Sequence, residues 1–465
     1  MLQNNSPGCE DYIVALRKAI LRSEKLLGEK KIPLPSSHNP ESIISDYSIG
    51  YSCNLANNAY GFCKIARKNG CNAKLFLQPN FIDTVVLSLP IWDEVYFVSE
   101  AMPDQSTVLP SWENPDFVKS SYWDQAYVNN MPINFEYEKL KDFFKDTPVA
   151  IYDQISYLMS YTVIPHRDLL RHYNSVDILH VSGLHIGVAS FTTKPYVTFP
   201  FGGDLFITPF ADNEAGWMQN RGFKNADRHI VSGKIMLEYM EALGISQGKI
   251  DLLPLMIDTD VNAPDPDNSL RKDLNEKYPD KVIFLAGARQ NWAWKGNDKL
   301  FRAIARIAGK DERAVFLTVW YGQDTAKSQK LIKELGIENR IVKIGVVSKA
   351  ALRKYINAAD VCIDQFTHGG LGTFALESMS CGKPLVTYYD RARHFDFAED
   401  PPLNNCFTED EIYEKITFCL ANANKLADMG NKHRDWTKKY HGHETLWPEY
   451  DTVYKKALSD SKNRG

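Results

Sequence analysis

From Lys281 to Tyr389 the chain repeats one unit, a short apolar strand followed by a stretch with helical spacing. "KVIFLAGA" leads to "DKLFRAIARIA", "AVFLTVWYG" to "AKSQKLIKELGI", "RIVKIG" to "KAALRKYINAA" and "DVCIDQF" to "TFALESMSC", with "PLVTYY" closing the series. Strands alternating with helices of about a dozen residues imply a parallel, doubly wound sheet. A looser form of the rhythm runs earlier in the chain. Helix periodicity through Arg67 stops at Gly70, and strands follow at Ala73–Leu77, 94–98 ("EVYFV"), 176–181 and 196–201, with helical patterns at 166–173 and 233–243. A chain of 465 residues exceeds what one core usually supports. The expected fold is α/β, with two Rossmann-like doubly wound domains facing across a cleft.

The expected division begins with a helical extension over 1–45 and a first domain over 46–255, with an irregular aromatic insertion at 100–148. A Pro/Asp-rich linker then leads to a second domain over 266–435 and a last helix within 436–465. The formal net charge of −4 argues against a nucleic-acid partner. The eight cysteines form no Cys-x-x-Cys pair, which fits reduced thiols of a cytoplasmic protein and neither a disulfide framework nor a zinc site. His441 and His443, taken as having no nearby carboxylate or cysteine partner, read as surface residues, and "DTD" at 258–260 reads as linker. No metal and no cofactor are expected. "MLQNNSPGCEDYI" carries no apolar signal region, and the apolar run Val149–Ile164 is broken by Asp153, Gln154 and Ser156. A cytoplasmic protein is expected, with peripheral contact at the inner face of a membrane left open.

In parallel sheets ligands bind outside the carboxyl ends of the strands. "HGGLGTFALESMSCGKPLV" sits at such an end, after "DVCIDQF". Gly369, Gly370 and Gly372 would let the backbone pass close to a ligand, and the first amides of the next helix would face a phosphate. A tight strand-to-helix turn is the alternative. Glu377, in an apolar helix, needs donors that a ribose diol would supply. Arg289 and Lys295 follow another strand and would neutralise a diphosphate leaving group; a solvated basic loop is the alternative.

Taken in order, "LAGARQNWAWKGNDKLFRAI", "RIVKIGVVSKAALRKYINAADVCIDQF" and "GLGTFALESMSCGKPLV" resemble the donor domain of family 4 glycosyltransferases of the GT-B fold, over roughly residues 281–390. The resemblance implies a retaining glycosyltransferase that moves a sugar from a nucleotide-sugar donor to a glycan, glycolipid or lipid-linked saccharide acceptor without a metal. Arg289 and Lys295 match the family's cationic pair. Gly370, Leu371, Gly372 and Thr373 match its phosphate and sugar loop, Glu377 matches the ribose ligand, and Val346 and Val347 match the backbone that meets the base. The C-terminal helices resemble those that cross back to the first domain. One departure stands out: where the family's first motif glutamate would fall, this chain has Gly369. Asp364 or His368 could reach the same space. An epimerase-like enzyme or a non-catalytic sugar-nucleotide-binding protein on the same fold is the alternative that this departure admits.

On the acceptor side, His180 and His185 lie at or just beyond a strand end. Either would touch the donor sugar if catalytic, and a structural histidine is the alternative. Asp204 would bind an acceptor hydroxyl or else cap local amides. Trp112 and Trp123 in the insertion offer aromatic faces to an acceptor.

Overall fold

The structure is a computed structural model and describes residues 46–78, 88–100, 103, 110–121, 166–211, 214–395 and 397–462. The expected helical extension over 1–45, most of the insertion and Trp123 lie outside these residues.

The first domain is built on β1 (Ser48–Ser52), β2 (Asn72–Leu77), β4 (Val118–Ser120), β5 (Ile178–Val181), β6 (Tyr196–Thr198), β7 (Arg228–Val231) and β8 (Ile250–Leu252). These form one sheet in the order β4-β2-β1-β5-β6-β7-β8, and all its pairings are parallel. Between β1 and β2 runs α1 (Asn58–Lys68), which buries Ala59, Tyr60, Phe62, Cys63, Ile65 and Ala66. Arg67 and Lys68 sit in its last turn, where cations suit the helix dipole, and Gly70 at φ +79° ends it.

The second sheet holds β9 (Val282–Ala286), β10 (Ala314–Val319), β11 (Ile341–Ile344), β13 (Val361–Ile363), β14 (Leu385–Thr387) and β15 (Asn404–Asn405), ordered β11-β10-β9-β13-β14-β15. Every residue of β9, β10, β13 and β14 is buried, as central strands covered by helices on both faces must be. Its crossover helices include α2 (Asn297–Ala308), α3 (Lys349–Ala358) and α4 (Thr373–Ser380). The strand order reverses between β1 and β5 in the first sheet and between β9 and β13 in the second, so each domain has its ligand crevice at that point.

One expected strand is elsewhere. "EVYFV" does not join the first sheet. Its start closes a short helix, Ile91–Glu94, and β3 (Val98–Ser99) pairs antiparallel with β12 (Val346–Val347) of the second half. Apolarity alone could not reveal this, because the partner edge lies in the other domain. Gly345 makes the approach feasible: a Cβ there would fall 1.9 Å from the Ser99 carbonyl oxygen.

Two helices finish the chain, α5 (Leu426–His441) and α6 (His443–Lys462). α6 returns to the first domain, where Leu446, Trp447, Tyr450, Val453, Tyr454 and Ala457 join the core with Tyr51, Phe62 and Phe199. The reading of His441 and His443 as surface residues is corrected here, since both are 3% exposed. The Nδ1 of His441 lies 2.8 Å from the Leu255 carbonyl oxygen. His443 faces "DTD" across the hinge, its Nδ1 3.7 Å from Asp258 and its Nε2 3.5 Å from Asp260. The histidine had its carboxylates all along, far away in sequence. Asp258 Oδ1 also accepts the amides of Asp260 and Val261, and the Lys68 ammonium pairs with both aspartates.

Because α6 fills the first domain's core, Tyr454→Ala should lower stability by about 3–5 kcal/mol, the cost of removing a buried aromatic. Denaturant titration followed by circular dichroism measures this. A change below about 1 kcal/mol would show that the helix merely rests on the domain.

Candidate functional site

The carboxyl ends of β9 and β13 lie side by side and carry most of the polar groups expected from sequence. Immediately after β13 come Asp364 and Gln365, both buried. Gln365 organises the glycine loop. Its Oε1 accepts the amides of Thr367 (2.9 Å), His368 (2.7 Å) and Gly369 (3.3 Å), while its Nε2 donates to the carbonyls of Gly370 (3.2 Å) and Tyr388 (2.8 Å). One side chain thus fixes the path of Thr367–Gly370, and the loop delivers the N-terminus of α4. Gly372 precedes α4 and gives it no side-chain cap, so its first amides are left for another acceptor.

The loop after β9 carries the cations. Arg289 is exposed, and Lys295 ends the short helix Trp292–Lys295, which Asn291 caps by accepting from the Trp294 amide. Gly296 at φ +67° ends that helix, and the Phe366 amide donates to the Lys295 carbonyl, which anchors Lys295 beside the glycine loop. The Lys295 ammonium stands 3.9 Å from Asp364, whose pKa burial raises and Lys295 only partly restores. His368 lies over the same loop, its ring 5.6 Å from that of Trp294. Asp364 and His368 both border the glycine loop, while the atoms nearest a Cβ on Gly369 belong to Tyr388 and Asp390.

Glu377 is one turn into α4 and 5% exposed. Its donor in this structure is the Lys349 ammonium at 3.0 Å, at the start of α3. Together they line a hollow between the domains with Asn58, Lys64, Asp93, Arg353 and Thr373. Thr373 Oγ1 donates to Asn58 Oδ1 at 3.3 Å, so the second domain's loop meets the N-terminus of α1. Asp93 binds the domains ionically, pairing with Lys64 at 2.5 Å and Arg353 at 3.2 Å. Burial would push its pKa up, but Lys64, Lys349 and Arg353 more than reverse this and hold the carboxyl below its usual range. Val346 and Val347 are buried under β3, with the Ser348 amide donating to the Phe97 carbonyl.

The first-domain candidates lie apart from this cluster. His180 and His185, expected to act on the donor, lie within the first domain's core. Both are 0% exposed, and burial pushes the pKa of each down to about 3. The rings of Tyr51, Phe62 and Phe199 surround His180, whose Nδ1 is 2.9 Å from the Tyr454 hydroxyl. His185 Nδ1 is 2.6 Å from Ser52 Oγ, which in turn accepts from Tyr173. Asp204 takes its capping alternative, accepting the amides of Phe201 (3.0 Å), Gly202 (2.7 Å) and Gly183 (3.0 Å). Trp112 lies on the outer flank of α1 with Tyr60, Arg67, Glu94 and Phe117, and Lys64 borders both this flank and the Glu377 hollow.

Sequence reasoning missed Gln365, Lys349, Asn58 and Asp93. Two polar residues, Asp364 and Gln365, ending an apolar strand were a readable signal for Gln365. Nothing local marks the other three, which depend on domain docking.

Structural comparison decides the architecture. Anabaena HepE in complex with UDP and glucose superimposes with a TM-score of 0.60 at 14% identity, covering 88% of this chain and 99% of that one. Sucrose-phosphate synthase from Thermosynechococcus elongatus gives 0.58 at 16% identity, covering 89% and 99%. This is the GT-B fold. Within it, residues 267–436 match the model of the family described as glycosyl transferases group 1. An uncharacterized glycosyltransferase of Methanocaldococcus jannaschii is 24% identical over 198 residues, 40% of this chain and 48% of that protein. A D-inositol 3-phosphate glycosyltransferase of Mycolicibacterium smegmatis is 27% identical over 165 residues, 35% and 37%. The chain thus spans about half or less of the length of these curated relatives.

The Asp93 network makes a pH prediction. The folded pKa lies below the unfolded value of about 3.9, so its stabilisation is whole above about pH 4 and disappears as pH falls through the folded pKa. Asp93→Asn should cost about 1–3 kcal/mol at neutral pH, the range for a hydrogen bond to a charged group. The gap between wild type and variant should close in acid. Denaturation at a series of pH values checks this, and a gap independent of pH would exclude the ionic origin.

Proposed function

We propose that this protein is a retaining glycosyltransferase that moves a sugar from a nucleotide-sugar donor to a saccharide or lipid-linked acceptor. The observation that carries the reading is the approach of Lys295, from the loop after β9 that also carries Arg289, to the residues after β13 that lead into the glycine loop and α4. The match of 267–436 to group 1 glycosyl transferases and the names of the relatives support it. So does the UDP held by a structural neighbour of the same fold.

In this reading the diphosphate lies on the amides of Leu371–Thr373, with the positive end of α4 behind it. Arg289 and Lys295 neutralise the charge that grows as the bond between the anomeric carbon and the diphosphate oxygen breaks. The acceptor hydroxyl oxygen bonds to the anomeric carbon on the same face, and its proton passes to the departing diphosphate. Glu377 accepts the ribose hydroxyls, sharing its carboxylate with Lys349. The base approaches the backbone at Val346 and Val347, so β3 stands beside it. The fixed cations do the work that a divalent ion would otherwise do. The acceptor enters from the first domain, and the reaction belongs at the cytoplasmic side of a membrane or in solution.

Arg289→Ala and Lys295→Ala should each lower kcat by at least about tenfold while changing nucleotide affinity less, because leaving-group charge peaks in the transition state. Steady-state kinetics, after a thermal-shift screen of UDP, GDP and ADP sugars, tests this. Near-normal kcat in both variants would remove the assignment. Activity should persist in EDTA. Loss restored by Mg²⁺ or Mn²⁺ would overturn metal independence.

Glu377→Ala should weaken nucleoside diphosphate binding by about 1–3 kcal/mol, as read by calorimetry. Unchanged affinity in the folded variant would exclude the ribose role. Gly369 favours one other reading, a sugar-nucleotide-binding protein, which donor binding without turnover across a broad acceptor panel would establish.

A further inference from the structure

The turn after β14 holds a group that the reaction above does not use. His394 is 9% exposed, and its Nε2 is buried without a hydrogen-bond partner. Such an atom in a native site calls for a ligand or an explanation. The imidazole stands in the seam between the domains, in a slot walled by two glycines. A Cβ on Gly370, from the second domain, would fall 2.7 Å from its Cε1 and 3.1 Å from its Nε2. A Cβ on Gly233, from the first, would fall 3.0 Å from its Nδ1.

The main chain fixes the turn from both sides. The amides of Lys234 and Ile235 donate to the carbonyls of His394 (3.2 Å) and Arg393 (2.9 Å), and the Asp390 amide donates to the Gly369 carbonyl at 2.9 Å. Burial keeps the ring neutral, with its pKa pushed down to about 4. A neutral imidazole that carries its proton on Nδ1 presents Nε2 as an acceptor.

Position 369 supplies the other half of the argument. Gly369 has φ +78°, and a Cβ there would fall 2.9 Å from the Asp390 Cβ and 3.0 Å from the Tyr388 ring. A longer side chain does not fit, because the 388–394 turn already fills that volume. From the same turn, His394 Nε2 lies against the next residue of the loop, Gly370.

We propose that His394 reads the glycosyl group of the donor, its Nε2, at the Gly370 wall of the slot, accepting a hydrogen bond from a sugar hydroxyl. This rests on the nucleotide-sugar reading and adds a specificity-determining residue to it.

The test separates the sugar from the nucleotide. Calorimetry on the full chain measures the affinity for the preferred nucleoside diphosphate and for the same diphosphate carrying its sugar. His394→Leu should lose about tenfold in affinity for the nucleotide-sugar, the worth of one buried hydrogen bond, and stay within about twofold for the diphosphate. His394→Gln, whose amide oxygen also accepts, should keep most of the sugar-dependent part. In the wild type, the imidazole nitrogen resonance that His394→Gln removes should shift on adding nucleotide-sugar and not on adding diphosphate, a readout that holds even if His394→Leu fails to fold. Equal losses for both ligands, or a resonance indifferent to the sugar, would make His394 a buttress of the seam and overturn the proposal. Absence of binding by any nucleoside diphosphate or nucleotide-sugar to the wild type would instead remove the donor reading beneath it.

Discussion

A parallel sheet must be covered on both faces, and the first domain meets that demand with a helix from the far end of the chain. α6 lays Leu446, Trp447, Tyr450, Val453 and Tyr454 against Tyr51, Phe62 and Phe199. Burying side chains of this size contributes about 1.5–3 kcal/mol each. The first domain's core is therefore complete only when the second domain has been made and passed through. The chain crosses the hinge twice, at Ile257 and at Gly442, and those two residues bridge each other directly. Movement of one domain against the other must work around this fixed point.

Away from the hinge the domains are joined by weaker and more polar contacts. β3 adds two residues to the edge of β12, and Asp93 pairs with cations of both halves. The Glu377 hollow and the glycine loop lie along this seam.

The first domain's histidines illustrate how burial reassigns a chemically attractive residue. His180 sits at the end of β5, where a ligand-facing group is expected, yet its ring points among aromatic side chains and its Nδ1 meets Tyr454. His394 was given no role in the sequence reading, yet its imidazole packs against Gly370 of the glycine loop. Sequence offers the residue type, and the packing around it decides what the nitrogen meets.

The sequence by itself determined the strand–helix rhythm, both parallel sheets, the glycine loop and the two cations, because each is written in a window shorter than about twenty residues. Apolar runs specify strands locally, and a glycine loop after a strand is placed by the chain's own continuity. The tertiary structure alone decided what lies across a domain boundary. Glu377 acquired Lys349, His443 acquired Asp258 and Asp260, and "EVYFV" gave up a place in its own sheet for the edge of β12. Charge pairing and edge pairing act over a few ångströms in space and leave no period in the sequence. Only the docking of two separately legible domains could reveal them.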